Sequence, residues 1–427
     1  MGVNVTIILF AVCGAYRLTK RALPEALHLC EDLRPIFLTA RSWGNGIDPY
    51  RPERQFVEWS RVRQGGDPDL PSDQLRHEPS VYPPGTLALL YPMTFIAWHA
   101  VRVGWLVSNL ALSLLAWAAI ARMFHMPLFG WRAALFGGLW LSLGPFITSV
   151  KLGNPALPSA MLCVLAIYLA TRRRDIGDIL AGILLGIATI LKPQLAGALL
   201  LFYLFQPRHR IWIVGVGLFA LANFIGVARL AMARVHWLAT FQATLGSIGG
   251  PGGFNDASLA NAVRWQLINL QVPLFDLLST RWQVNLLAWL IVAMLCLLFL
   301  LVWKRAAHPA GDALAAAVPL ILSLLPVYHR YYDALILVLP LGWAIANLAT
   351  RRNVHAIAVL ICTVPFYVSS AFALDALQRH HYVPGILLHS IIWSLILMPM
   401  QTWLLIAMAL VLMHCMWVNT PDVADAA

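Results

Sequence analysis

The sequence predicts an all-α protein that crosses a lipid bilayer many times, with about 11–13 transmembrane helices. Three observations carry that prediction. Hydrophobic residues make up 60% of the 427 positions and charged residues only 11%, an apolar share well above that of a soluble globular domain. Apolar stretches of spanning or near-spanning length recur along most of the chain. The Lys and Arg residues behind the formal charge of +11 stand mostly in short clusters between those stretches, as expected where cationic helix ends stay cytoplasmic. The positive charge is thus tied to a bilayer, and a nucleic-acid partner is not expected.

The apolar stretches fall near residues 3–19, 101–121, 131–150, 155–171, 176–191, 193–206, 210–231, 282–303, 311–327, 333–349, 354–374 and 384–417, the last long enough for two spans. The first, MGVNVTIILFAVCGAY, reads as a membrane helix, because no basic segment precedes it and no small-x-small cleavage site follows. Residues 84–98 are short and interrupted by prolines, so they are expected to lie on or re-enter the membrane. One alternating assignment then places Arg122, Arg132, Arg172-Arg173-Arg174, Arg208-His209-Arg210, Lys304-Arg305 and Arg351-Arg352 on the cytoplasmic side. Arg17, Lys20 and Arg21 break the rule, and snorkelling from a tilted helix is the expected reason. Two large loops fall outside, residues 22–100 with juxtamembrane helices and residues 232–281 with the turn-rich run SIGGPGGFNDAS. Loops of that length are more often functional than idle. No internal repeat divides the chain, so residues 1–427 are read as one membrane domain with a frayed tail, NTPDVADAA.

Six cysteines (Cys13, Cys30, Cys163, Cys296, Cys362, Cys415) are scattered singly and mostly within apolar runs, which favours structural thiols over a disulfide frame. His380-His381 are adjacent, poor geometry for one metal. No metal and no cofactor are expected. Charged and strongly polar residues at membrane edges are costly and mark functional positions. Under the assignment above, Asp32, Asp48, Tyr82-Pro83-Pro84, Asn154, Lys192 and the run Tyr328-His329-Arg330-Tyr331-Tyr332-Asp333 all fall at the outer surface. A transporter or lipid flippase would instead place ionisable groups near the midplane.

The run Asp32-Leu33-Arg34-Pro35-Ile36-Phe37-Leu38-Thr39-Ala40, followed by Gly46-Ile47-Asp48-Pro49-Tyr50, resembles the loop after the first helix of glycosyltransferase family 87, part of the GT-C superfamily. Tyr82-Pro83-Pro84, Gly153-Asn154, Lys192-Pro193-Gln194 and Tyr328–Asp333 resemble further landmarks of that family in the same order. Ile36-Phe37 stands where a Tyr pair is usual, and Asn154 where Gln is common. The resemblance implies a GT-C-like helix bundle in the cell membrane that transfers a sugar, by analogy mannose, from a polyprenyl-phosphate donor to a glycan or lipid-linked acceptor at the periplasmic or exterior face. An oligosaccharide polymerase or ligase using a lipid pyrophosphate is the neighbouring reading; its large loop normally lies in the second half, whereas the acidic loop here comes early.

A sugar on a lipid phosphate already has a good leaving group, so one general base suffices. Asp32 matches the family's catalytic position, with Asp48 and Glu31 as rivals. Asp48 precedes Pro49, where a turn-capping role is equally natural. Lys192, His329 and Arg330 are the candidates to hold the departing phosphate, although interfacial anchoring would also explain them. Tyr50, Tyr82, Asn154, Gln194, Tyr328, Tyr331, Tyr332 and Asp333 are the candidate substrate contacts. Tyr82-Pro83-Pro84 also reads as a rigid entry into a helix, and Asn154 as a helix N-cap. Asn255, Asp256 and Arg264 in the second loop either reach an acceptor or simply face solvent.

Overall fold

The computed structural model describes residues 2–28, 30–51, 53, 57, 80–172, 174–306, 312–368 and 370–418. Helix accounts for 77% of the structure, with no strand among the described residues. The chain is therefore the all-α polytopic membrane protein that its composition predicts. Hydrocarbon offers no partner to backbone N–H and C=O groups, so apolar runs must satisfy them within the segment as helix. Most of residues 52–79, Arg173 and the tail 419–427 lie outside the described residues.

Four helices are long and apolar enough to cross a bilayer unaided: Trp98–Met123, His209–Met232, Arg281–Arg305 and Met400–Val418. Trp131–Ser142 and Gly144–Leu152 form a fifth crossing if taken together, bent by 55° at Leu143. Further expected spans appear as shorter apolar helices, Ala156–Thr171, Pro193–Leu204, Ala313–Ser323, Tyr331–Asn347 and Asn353–Phe366. Several of these are cut short at one end, where the chain breaks at Asn154, Lys192 and Tyr328–Asp333. The stretch 384–417 yields a single long helix, preceded by one turn over Gly385–Leu388 and a π turn over Trp393–Leu397. Residues 84–98 also do not span; they form the short helix Pro84–Leu90, a 3-10 turn over Tyr91–Phe95 and the start of the next long helix.

Chain direction sorts the polar residues between two ends of the bundle. Ala156–Thr171 runs from Asn154 to Arg172, and Asp175–Leu191 returns from Arg174 to Lys192. At the Arg172 end, Arg208 pairs with Asp178 at 3.0 Å and donates to the Ala170 carbonyl, while Arg210 pairs with Asp175 at 2.6 Å. Asn154 and Lys192 share the opposite end.

Arg17, one of the three exceptions to the charge rule, is held by packing, whereas Lys20 and Arg21 are exposed. One of its guanidinium nitrogens donates to the Ser142 and Tyr367 carbonyls at 2.8 and 2.9 Å. Ser142 closes the first half of the bent pair, so Arg17 satisfies a carbonyl that the break leaves without its intrahelical partner. Gly144 starts the second half because any Cβ there would sit 1.8 Å from the Tyr331 hydroxyl oxygen.

The described parts of the first loop are packed into the protein. The helix Leu33–Gly44 buries Leu33, Ile36, Phe37, Leu38 and Trp43. Phe37 packs on Trp98 with ring centroids 5.0 Å apart, and the Trp43 indole donates to the Gly226 carbonyl at 2.8 Å. These contacts anchor the helix that follows Asp32, which stands at its N-cap.

Candidate active site

Four segment starts meet at one end of the bundle. Asp32 caps Leu33–Gly44, Asn154 lies just before Ala156–Thr171, Lys192 joins Asp175–Leu191 to Pro193–Leu204, and Arg330 caps the 3-10 turn Tyr331–Leu337. Each sits where a helical segment starts; at Asn154 and Lys192 the following Pro155 and Pro193 cannot continue a preceding helix. Helix N-termini carry partial positive charge. Their convergence therefore builds a place for negative charge before any side chain is counted.

The side chains form one connected network. The Asn154 amide donates to Asp32 Oδ2 at 2.6 Å, and its oxygen accepts from the Ala156 N–H at 2.8 Å and from Lys192 Nζ at 3.3 Å. Asn154 is thus both the expected helix cap and a link between the acidic and basic residues. Lys192 Nζ also pairs with Asp333 Oδ1 and sits 4.7 Å from the centre of the Tyr332 ring. Asp333 Oδ2 accepts from His329 Nδ1 at 2.9 Å and from the Arg330 backbone N–H at 3.1 Å. With three donors on two oxygens, Asp333 is occupied by protein, and it is 2% exposed. A buried lysine and carboxylate are tolerable only when paired in this way.

Arg330 is held from the second loop. Its Nε donates to Asn255 Oδ1 at 3.1 Å, its terminal nitrogen donates to the Phe254 carbonyl at 2.8 Å, and its guanidinium carbon lies 3.4 Å from the centre of the Phe254 ring. Burial lowers its pKa, which the nearby Tyr332, Asp32 and Asp333 oppose. Asp32 is half-buried, and its carboxyl is raised to about 6, first by burial, while Asn154, Lys192 and Arg330 pull it down and Glu31 pushes it up. Tyr82 and Tyr328 are raised by burial and by adjacent carboxylates, Asp32 and Asp333 for Tyr82 and Asp333 for Tyr328. Both phenols stay protonated at neutral pH and able to donate a hydrogen bond.

Of the residues singled out from sequence, Asp32, Tyr82, Asn154, Lys192, Tyr328, His329, Arg330, Tyr332 and Asp333 come together here. Gln194 follows in the first turn after Lys192, half-buried. Three others lie elsewhere. Tyr331 turns into the core, its hydroxyl donating to the Phe366 carbonyl at 2.7 Å. Tyr50 is fully buried against Phe241 and donates to the Tyr82 carbonyl at 2.9 Å, so it supports Tyr82 from behind. Asp48 accepts from the Tyr50 N–H at 3.1 Å, the Thr240 hydroxyl at 2.8 Å and Arg51 at 3.3 Å, and lines a different cavity of about 360 Å³ with Gly46, Ile47, Arg51, Val235 and His236. It caps a turn, as its proline neighbour allows.

In the second loop, Asp256 is wholly enclosed by Gly252, Ser258 and Arg281, and one terminal nitrogen of Arg264 donates to both Asp276 carboxylate oxygens at 2.8 and 2.9 Å. Both are scaffold. Phe254, under Arg330, and Cys30, packed beside Gly153, are the neighbours that sequence reading missed; neither carries a signal beyond being apolar.

No curated protein and no solved structure matches the chain. Residues 81–327 match Glycosyltransferase family 87. That span takes in Tyr82, Asn154 and Lys192; it ends just before Tyr328–Asp333 and begins after Asp32, both of which the fold brings against it. More than half of the sequence is covered, and the chain belongs to glycosyltransferase family 87.

Proposed function

We propose that this glycosyltransferase inverts configuration as it moves a sugar, mannose by analogy with relatives, from a polyprenyl-phosphate donor to an acceptor hydroxyl at the extracytoplasmic face of the cell membrane. The observation that carries the reading is the cluster in which a carboxyl raised to about 6, Asp32, lies within the electrostatic reach of Lys192 and Arg330 at one end of an apolar bundle. A base titrating just below neutral pH is ionised at pH 7 and still basic enough to accept a proton in the transition state.

In this reading the acceptor oxygen bonds to the anomeric carbon as its proton passes to Asp32. The bond from that carbon to the phosphate oxygen breaks on the opposite face, and the electron pair leaves with the polyprenyl phosphate. Lys192 and Arg330, with the converging helix starts, stabilise the charge that develops there. His329 acts through Asp333, which it shares with Lys192. Tyr82, Tyr328 and Tyr332 supply ring faces and hydroxyls for the sugar. The basic helix ends at the far side of the bundle fit a cytoplasmic placement, which leaves the cluster and the loops 22–100 and 232–281 outside. A donor tail would reach the cluster from the surrounding lipid.

The decisive experiment is transfer from a synthetic polyprenyl-phosphate sugar by purified protein carrying Asp32→Asn. Transfer is expected to fall at least about a thousandfold, within the range that general-base and positioning effects supply together, with donor binding nearly intact. Transfer at the parental rate would exclude Asp32 as the base.

A further inference from the structure

Two stretches of backbone interlock beside Asp32. Cys30 adopts φ +46°, a left-handed conformation unusual for a residue with a side chain, and Gly153 adopts φ +66°. Between them there is no spare room. A Cβ built on Gly153 would stand 2.2 Å from Cys30 Sγ and 3.4 Å from Leu33 Cβ. The same two stretches are joined by the Asp32 N–H donating to the Leu152 carbonyl at 2.9 Å. One residue beyond Gly153, Asn154 donates to the Asp32 carboxylate at 2.6 Å. The Trp105 indole holds the Gly153 carbonyl at 3.0 Å, and the Cys30 carbonyl accepts from the Leu33 and Arg34 N–H groups that begin the helix after Asp32.

We infer that Cys30 and Gly153 are a positioning pair whose close contact fixes the Asp32 carboxylate against Asn154. The pair touches no reacting atom. Cys30 is 1% exposed in an apolar cluster with Leu33, Phe37, Leu38, Trp98 and Val101, and burial pushes its thiol up to about 12, so it acts as a small wedge and not as a nucleophile. Only a residue without a side chain lets the two stretches come this close, and only a small one at position 30 lets Asp32 follow with its backbone tied to Leu152. The inference rests on Asp32 being the base.

Gly153→Ala would force the stretches apart. An ångström of displacement at a reacting group is worth up to about a hundredfold in rate. The expected result in full-length protein is a fall of about ten- to a hundredfold in kcat, with donor KM within about threefold of the parent. Losing the Asn154 hydrogen bond, which holds the Asp32 pKa down, should also move the acid limb of the kcat/KM profile to higher pH, a change that general loosening of the fold would not produce. Exchanging which side fills the gap should partly reverse this: Gly153→Ala combined with Cys30→Ala is expected to recover part of the lost rate, the left-handed backbone at 153 (φ +66°) accounting for the remainder, whereas Cys30→Ala alone, which opens the contact, is expected to lower kcat several-fold at an unchanged donor KM. If Gly153→Ala does not accumulate, Cys30→Leu presses on the same contact from the other side and should show the same split between kcat and KM. A parental rate and pH profile in folded Gly153→Ala or Cys30→Leu, or a fully parental Cys30→Ala, would overturn the positioning pair. Loss of the base assignment itself would appear separately, as an active Asp32→Asn enzyme.

Discussion

Burial lifts the Asp32 carboxyl towards neutrality while Asn154, Lys192 and Arg330 draw it back, and the balance of about 6 has two measurable consequences of opposite sign. For catalysis the carboxylate is the working form, so kcat/KM should be steady above pH 7 and fall about tenfold per unit below pH 6. For stability the order reverses. The native pKa lies above the unfolded value, so the native state holds this proton more tightly; the favourable contribution is complete at low pH and disappears as pH rises through about 6. Asp32→Asn should therefore be at least as heat-stable as the parent at pH 7.5, with any advantage shrinking as pH falls towards 4, measured as the unfolding midpoint in detergent. Lys192 behaves differently, since removing it leaves Asp333 buried without its cationic partner. Lys192→Met should lower stability by about 3–5 kcal/mol, the usual cost of breaking a buried pair from one side, and should raise the donor KM. Asp32, Lys192 and Arg330 were legible in sequence because charge at a membrane edge has few structural excuses. Tyr50 and Tyr331 were misleading for a related reason: a tyrosine beside a site is apolar over most of its surface, and sequence does not say whether ring or hydroxyl faces the pocket.

At the scale of elements, the breaks matter as much as the helices. The bend at Leu143–Gly144 admits the Tyr331 hydroxyl on one side and the Arg17 guanidinium on the other, joining the first helix, the bent pair and the segment that carries Arg330 and Asp333. Gly144→Ala places a methyl into that junction and should destabilise the protein by about 1–3 kcal/mol, seen as a lowered unfolding midpoint with the donor affinity of the surviving folded fraction unchanged. Hydropathy reads 131–150 as one continuous span because neither Gly144 nor Pro145 interrupts its apolar character. The break is a matter of steric fit with a residue far along the chain, which a local window does not contain. The stretch 384–417 failed in the opposite direction. Its first half is apolar enough to span, yet it folds as isolated turns, with Ile386 91% exposed.

Across the whole molecule, the alternation of basic and polar helix ends was readable in outline, because each crossing reverses the chain and the costs of misplacing charge are large and local. The identity of the meeting residues was partly readable too, with Asp32 favoured and Asp48 its rival, and packing gives the two different surroundings: one joins Lys192 through Asn154, and the other is used up by Thr240, Tyr50 and Arg51. If the site end faces outward, a cysteine introduced at position 48 should react with an impermeant maleimide in intact cells while one at position 351 should not, read by mass spectrometry of the labelled peptides. The four formal charges at the heart of the cluster, Asp32, Asp333, Lys192 and Arg330, cancel. With its formal charges balanced, the cluster exerts little long-range pull on dissolved phosphates and holds an anion only at close range, through Lys192, Arg330 and the helix starts. The lipid-borne donor proposed above would reach such a receptor by sliding sideways within the membrane sheet, where encounter is two-dimensional and no electrostatic funnel is required.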